Sequence, residues 1–376
     1  MRDRQLTFVL LLGVGIIGSN ALLLSPILPD VATSLDTVPT QVTWAIAAYG
    51  GATALSALLL APLIDRLGVR FALIVAGALL TASMAATAVA PVVYLLIAAQ
   101  ALSGVAAGIM LPSIYAAATR LGEERGKPTL GHVLTGWSLS LVLGIPLSAF
   151  LTDTFGWRTS YGTLAALGLL VTLGFRAIPR FDLPHTTSLA APQVKALRLS
   201  GVARLLLVQF LFMTAFYGTY AFFGDHVRNT FSLSSSAAGM IVLVYGAGFG
   251  LAALVDERLM KLGPRVSTVG TLLLVAIVYF FVSTLMANSL AVFVLAFFWG
   301  FGNHAALNLI VGELSRSAQN LRGTVMGLNS AISYVGALVG PLAAGWLYSG
   351  PGFTVIAGSA SALVMIASWL AALQRP

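Results

Sequence analysis

A polytopic bundle of membrane-spanning helices is the fold class this sequence predicts, and three observations predict it. The chain of 376 residues is 58% hydrophobic and only 9% charged, where an ordinary soluble domain carries about a quarter charged residues. Its mean hydropathy is +0.95. Its few charges separate long uncharged runs, most of which reach the roughly 20 apolar residues that cross a bilayer. A water-soluble globular protein is thereby excluded. High apolar content without a Gly-X-Y period also excludes a disordered or collagen-like chain. The sequence has no cysteine, so disulfides, thiolate metal sites and cysteine nucleophiles are excluded.

Charged residues mark the helix boundaries. The uncharged runs are 5–29, 37–64, 71–119, 128–152, 159–175, 205–224, 229–255, 266–312 and 323–374. Three are too long for one crossing and carry a turn signal near the middle: Ala90-Pro91, Ala287-Asn288-Ser289 and Ser349-Gly350-Pro351-Gly352. Splitting them predicts twelve helices, over 6–28, 41–63, 71–89, 92–119, 131–152, 159–177, 203–223, 235–255, 266–286, 289–312, 324–347 and 353–373. The first run, entered directly from Met1-Arg2-Asp3-Arg4, is too long for a signal-peptide core and reads as a retained helix. These runs lack the alternation of barrel strands.

Orientation follows from the cations. Eighteen of the 20 Lys and Arg residues fall on the side of the N-terminus, leaving Arg158 and Arg228 on the other. The excess of cations marks the cytoplasmic side, so both termini are expected there. The net charge of +8 is dispersed in short clusters between apolar runs and forms no continuous patch, so no nucleic-acid partner is expected.

The two halves match at an offset of 195 to 197 residues. Asp30 pairs with Asp225, Tyr49-Gly50 with Tyr245-Gly246, and Leu67-Gly68 with Leu262-Gly263. Gly104 pairs with Gly300, Arg125-Gly126 with Arg322-Gly323, and Gly144 with Gly340. The longest inter-helix segment, 178–202, carries Pro179, Pro184 and Pro192 and falls where a central linker belongs. The expected organisation is an N-terminal six-helix bundle over 1–177, a cytoplasmic linker over 178–202 and a C-terminal six-helix bundle over 203–376. Two parallel repeats of this kind are an architecture of secondary transporters, with the substrate near the midplane at the repeat interface.

Two segments carry a family resemblance. Ala61-Pro62-Leu63-Ile64-Asp65-Arg66-Leu67-Gly68-Val69-Arg70 resembles the signature between helices 2 and 3 of the major facilitator superfamily, with Ala61 in place of the first glycine and Val69 in place of a basic residue. Gly136-Trp137-Ser138-Leu139-Ser140-Leu141-Val142-Leu143-Gly144-Ile145-Pro146, followed by Phe155-Gly156-Trp157-Arg158, resembles the helix 5 antiporter signature of the twelve-helix drug:proton branch, including its sugar- and arabinose-efflux-like members. The resemblance implies a gate at Asp65, Arg66, Gly68 and Arg70, where Asp65 faces the positive N-terminal end of helix 11 in one conformation and loses it in the other. It also implies a conformational switch at Gly144 and Pro146, although glycine and proline serve close packing in any membrane bundle. One departure stands out. The family pattern Arg-x-x-Gln-Gly falls on Gln100-Ala101-Leu102-Ser103-Gly104, so Gln100 replaces the intramembrane arginine implicated in proton transfer.

Ionisable residues at membrane depth are expensive and usually functional. His304, midway along helix 10, is the titratable group expected at depth and the leading proton-coupling candidate. A neutral histidine donating to a neighbouring carbonyl is the competing account. Asp30 and Asp225 lie at the expected outer ends of helices 1 and 7, where they either titrate or cap. On the helices that line the cavity in this family, Asn20, Tyr49, Gln100, Tyr115, Trp137, Tyr217, Tyr220, Tyr245, Trp299, Asn303, Asn329 and Tyr334 supply amides and aromatic faces for an uncharged site. Helix packing accounts for part of that set.

The expected function is secondary active transport by alternating access, as proton-coupled efflux of small drugs or metabolites. Uptake of a small neutral solute such as a sugar or nucleoside is the alternative. No enzymatic activity and no cofactor or metal are expected, because neither a His-Glu-x-x-His nor a Walker phosphate loop occurs. The expected partners are a small-molecule substrate, protons as coupling ion and the lipid bilayer, with the chain acting as a monomer in a bacterial inner membrane.

Overall fold

The computed structural model describes residues 2–60, 68–125, 129–180, 192–317 and 321–373. Among them are only helices and turns, with no strand. The chain divides into two compact units, Met1–Thr186 with Ser234–Gly239, and Thr187–Leu233 with Met240–Pro376.

The first unit opens with α1 (Arg2–Leu23). The predicted first span overruns it by five residues. The chain turns over 24–27 and restarts as α2 (Leu28–Ser34), with a proline in its first turn. Pro26 explains the break, because its ring lacks an N–H and clashes with the carbonyl four residues back. Then follow α3 (Pro39–Leu59), α4 (Val69–Ala88) and α5 (Val93–Arg125). The fifth crossing is discontinuous: α6 (Thr129–Leu134), α7 (Gly136–Leu139), a π-helical turn over Ser140–Gly144, and α8 (Ile145–Phe155). It is followed by α9 (Trp157–Phe175).

The second unit holds α10 (Pro192–Leu197), α11 (Val202–Phe231) and α12 (Ser235–Ala252), whose first residues group with the first unit. It continues with α13 (Asp256–Lys261), α14 (Pro264–Leu285), α15 (Ser289–Ser317), α16 (Arg322–Ser349) and α17 (Phe353–Ala372). The turn signal at Asn288 has a mechanism: its Oδ1 accepts the Ala291 N–H at 3.1 Å and caps α15.

Eleven of the described helical segments are long and apolar enough to span a membrane. The helix α9, expected as a crossing from the sequence, is not among them; its first two turns carry Arg158, Thr159, Ser160 and Thr163. Large apolar side chains such as Trp346 (79% exposed) and Leu254 (76%) lie on the protein surface, as a lipid-facing surface allows.

Packing repeats between the units. In the first, α3 packs on α5, α4 on α9, and α1 on the broken fifth crossing. In the second, α14 packs on α17 and α11 on α16. Close approach is written in glycine. A Cβ on Gly104 would overlap the carbonyl oxygen of Tyr49, and a Cβ on Gly300 would overlap that of Tyr245, its repeat equivalent. Gly68 and Gly263 share a second trait. Each precedes a helix with a positive φ, +86° and +97°, a conformation that only glycine takes without strain.

Candidate functional site

In the first unit the polar candidates tie helices together. Asn20 on α1 donates through Nδ2 to Gln100 Oε1 at 3.3 Å and to Ser103 Oγ at 3.4 Å. Gln100 Nε2 returns a bond to Asn20 Oδ1 at 3.4 Å and donates to Thr87 Oγ1 at 3.3 Å. Ser103 and Ser83 share a bond of 2.9 Å, and Thr87 donates to the Ser83 carbonyl at 2.9 Å. All five side chains are buried. Gln100 therefore sits in a closed, uncharged network joining α1, α4 and α5.

Nearby, Trp137 Nε1 donates to the Tyr115 hydroxyl at 3.1 Å, linking α7 to α5. Gly144 ends the π-helical turn and Pro146 opens α8. A Cβ on Gly144 would collide with Ser19 Oγ, and one on Gly136 would crowd Val14 Cβ at 2.8 Å, so α1 lies directly against the irregular stretch. A π-helical turn often marks a functional site. Tyr49 is buried on α3. Arg70 lies in the first turn of α4, just after Gly68. Asp65 and Arg66 lie outside the described residues.

In the second unit the candidates split into two groups. Tyr217, Tyr220, Tyr245 and Trp299 join one aromatic cluster with Phe216. Ring centroids stand 5.0 Å from Phe216 to Tyr217, 5.5 Å to Tyr220, 6.2 Å to Tyr245 and 5.9 Å to Trp299. Trp299 Nε1 donates to the Tyr279 hydroxyl at 3.0 Å. Asn303 Nδ2 donates to the Tyr245 hydroxyl at 2.9 Å. Asn329 and Tyr334 lie on α16, where Ser333 Oγ donates to the Asn329 carbonyl at 2.7 Å. Gln209 Nε2 in turn donates to Ser333 Oγ at 2.8 Å.

One residue later than Asn303, His304 begins a different constellation. Its Nε2 lies 3.2 Å from Asp256 Oδ2. Asn308 Nδ2 is 2.6 Å from the same carboxylate oxygen and 2.9 Å from His304 Nε2. Phe249 stands edge-to-face on the imidazole with centroids 4.7 Å apart. His304 Nδ1 is buried with no hydrogen-bond partner. The imidazole thus shares its place with a carboxylate. Asp256 opens α13 and folds back onto α15, a return that the sequence does not announce because residue 256 follows the apolar run of α12 and reads as a loop charge.

Two further acids are placed differently from the sequence expectation. Asp225 does not end its helix. It lies six residues inside the end of α11, is 1% exposed, and accepts from the Tyr348 hydroxyl and from Asn229 Nδ2 at 3.2 Å. A buried carboxylate with donors can remain within a helix, so the rule that charges end helices stopped the predicted span eight residues early. Asp30, its sequence counterpart, lies on the separate helix α2 and accepts from Ser235 Oγ at 2.7 Å within the first unit. Glu313 is buried near the end of α15 and accepts from the Thr268 hydroxyl.

The sequence matches the Major Facilitator Superfamily over residues 10–224 and again over 205–376. The chain belongs to that superfamily. It is accordingly an integral membrane transporter. Among relatives, the uncharacterized MFS-type transporter YwfA of Bacillus subtilis (strain 168) is 26% identical over 364 residues, covering 92% of this chain and 87% of the relative. The inner membrane transport protein YdhP of Escherichia coli (strain K12) is 24% identical over 377 residues, covering 96% and 95%. A "Probable sugar efflux transporter" of Mannheimia succiniciproducens is 29% identical over 240 residues, covering 61% and 59%. Among solved structures, a mutant of the nucleoside transporter NupG covers 100% of both chains with a TM-score of 0.82 at 11% identity. The human organic anion transporter MFSD10 (TETRAN) covers 98% and 99% with a TM-score of 0.70 at 16% identity. At those identities the structures establish a shared MFS fold.

Proposed function

We propose that this MFS transporter couples export of a small solute to inward movement of protons, with the Asp256–His304–Asn308 constellation as the proton site. That constellation is the observation on which the reading rests. An imidazole exchanges protons near neutral pH, and here its Nε2 faces a carboxylate. When a proton adds to Nε2 of the neutral Nδ1–H tautomer, imidazolium and carboxylate form a hydrogen-bonded ion pair with no net charge. With Nε2 bare, Asn308 donates one amide N–H to it and the other to Asp256, which keeps the carboxylate solvated. Asn308 Nδ2 can donate to Nε2 only while Nε2 is bare, and it donates to Asp256 in either state; the local charge changes by one unit between the states. Such a change can bias a conformational equilibrium.

Three observations support the surrounding reading. Gln100 stands where the family carries a cation and is already engaged by protein partners, which leaves proton exchange to another site. The helix 5 signature and the relative named for sugar efflux support export. The cation asymmetry supports cytoplasmic termini, and Asp65, Arg66, Gly68 and Arg70 are assigned to the gate on resemblance. The chain is taken to work as a monomer.

Proteoliposomes carrying an internal pH dye test the reading. Substrate-dependent proton movement opposite to substrate flux is expected, and His304→Ala is expected to abolish it while the protein still folds. Proton movement in the same direction as the solute makes the protein an importer. Undiminished coupling in His304→Ala removes this histidine from the mechanism. Asp65→Asn is expected to slow turnover more than solute binding, and full turnover in that variant sinks the gate assignment.

A further inference from the structure

Two amide side chains in the second unit are held in a way that leaves an acceptor unused. Asn303 is 2% exposed, and its Nδ2 is committed to the Tyr245 hydroxyl. Its Oδ1 is buried without a partner. Gln209 is fully buried, its Nε2 is committed to Ser333 Oγ, and its Oε1 is likewise without a partner. A third buried amide oxygen, Asn329 Oδ1, has no partner either. An acceptor buried without a donor costs about 1–3 kcal/mol, so three in one bundle need a reason.

Packing does not supply it. At the repeat offset of 196 the first unit carries Gly13 for Gln209, Ala107 for Asn303 and Val133 for Asn329. Apolar residues fill those places in the same architecture. The amides therefore belong to what the second unit does.

Their setting says what they would accept. Gln209 and Phe216 are seven residues apart on one face of α11, about 10 Å along the axis. Phe216 stacks toward Tyr245, which holds Asn303, while Ser333 ties Gln209 to the Asn329 backbone. Asn303 thus borders the aromatic cluster, and Gln209 and the Asn329 backbone meet at Ser333. Carbonyl oxygens bind N–H and O–H donors and repel anionic oxygens. Aromatic faces bind flat or ring-shaped apolar surface. Asp256, the adjacent carboxylate, is engaged by His304 and Asn308.

We infer that Gln209, Asn303 and Asn329 select the transported solute as an uncharged ring compound bearing several N–H or O–H donors, with the aromatic cluster covering its ring. This rests on the transport reading above but not on proton coupling. Nucleosides and sugars share that chemistry. Organic anions and donor-free lipophilic cations lack it.

Binding to the full-length protein in detergent tests the inference, read by thermal unfolding and tryptophan fluorescence. The probes are uridine, D-glucose, fully methylated derivatives that keep each ring and lose every donor, benzoate and tetraphenylphosphonium. Uridine or glucose is expected to bind. Uridine alone marks nucleobase recognition, and glucose alone marks recognition of hydroxyls. Methylation is expected to weaken binding about tenfold or more, because a site built for donors rejects an analogue without them. Asn303→Leu is expected to weaken it about as much. Ligand-free Asn329→Leu is expected to melt no lower than wild type while binding falls. A purely structural Asn329 would instead lower the melting temperature and leave binding intact, and that result overturns its assignment. The inference as a whole is overturned if benzoate, tetraphenylphosphonium or the methylated compounds bind as well as the parents. It is equally overturned if neither parent binds, or if Asn303→Leu binds normally. Binding that holds while proteoliposomes show no proton movement defeats the coupling proposal alone.

Discussion

The two repeats use one backbone plan and fill it with opposite chemistry. Gly104 against Tyr49 in the first unit and Gly300 against Tyr245 in the second make the same helix contact. Around that shared contact the side chains diverge. Ser83 and Ser103 share a hydroxyl bond where their equivalents Tyr279 and Trp299 share an indole–phenol bond. Asn20 and Gln100, paired through their amides, correspond to Phe216 and Ala296. Gly108 and Leu60 correspond to His304 and Asp256. A Cβ on Gly108 would crowd the Thr53 carbonyl at 2.7 Å, so the first unit closes with backbone the place where the second holds a histidine–carboxylate contact. The same helix contact is kept in both units, and the histidine–carboxylate contact occurs in the second.

Breaking the shared contact has the largest expected effect. Gly104→Val and Gly300→Val each force a side chain into a carbonyl oxygen and are expected to destabilise by about 3 kcal/mol each, read as lowered melting in detergent. If only one of the two matters, the equivalence of the contacts fails. Next comes the divergent site. Asp256→Asn is expected to reduce proton-driven flux about hundredfold, the scale of a lost proton-transfer partner, whereas Leu60→Asn at the equivalent place leaves coupling unchanged. Equal effects of the two substitutions on the pH-dye signal contradict the one-sided assignment.

Smaller effects sharpen the contrast. Gln100→Leu strips Asn20 Oδ1 of its donor and is expected to cost about 1–3 kcal/mol with proton coupling retained. Loss of coupling without loss of stability returns the proton route to the first unit. Trp299→Phe removes the donor to the Tyr279 hydroxyl and is expected to cost about 1 kcal/mol, seen as a modest drop in melting temperature.

Much of the fold is legible in the sequence because bilayers impose it on one dimension. Charge-free runs must be helices long enough to satisfy their own backbone. Turn signals such as Asn288 act locally, and glycine coincidences survive where helices touch. The reading failed where a charge is buried instead of exposed. Asp225 stays within α11 because Tyr348, 123 residues later, reaches it. Pro26, by contrast, breaks the first helix by a purely local effect.

The candidate site was legible as a set of residue types and not as an arrangement. Sequence alone determined the membrane bundle, which follows from composition and from the spacing of charges along the chain, while the significance of Gln100 came from the family resemblance. Only the tertiary structure decided that Asp256 meets His304, that Gln100 is occupied by Asn20 and Thr87, and that Asn303 keeps an acceptor free. Hydrogen bonds depend on which helices face each other and at what register, and local patterns along the chain display neither.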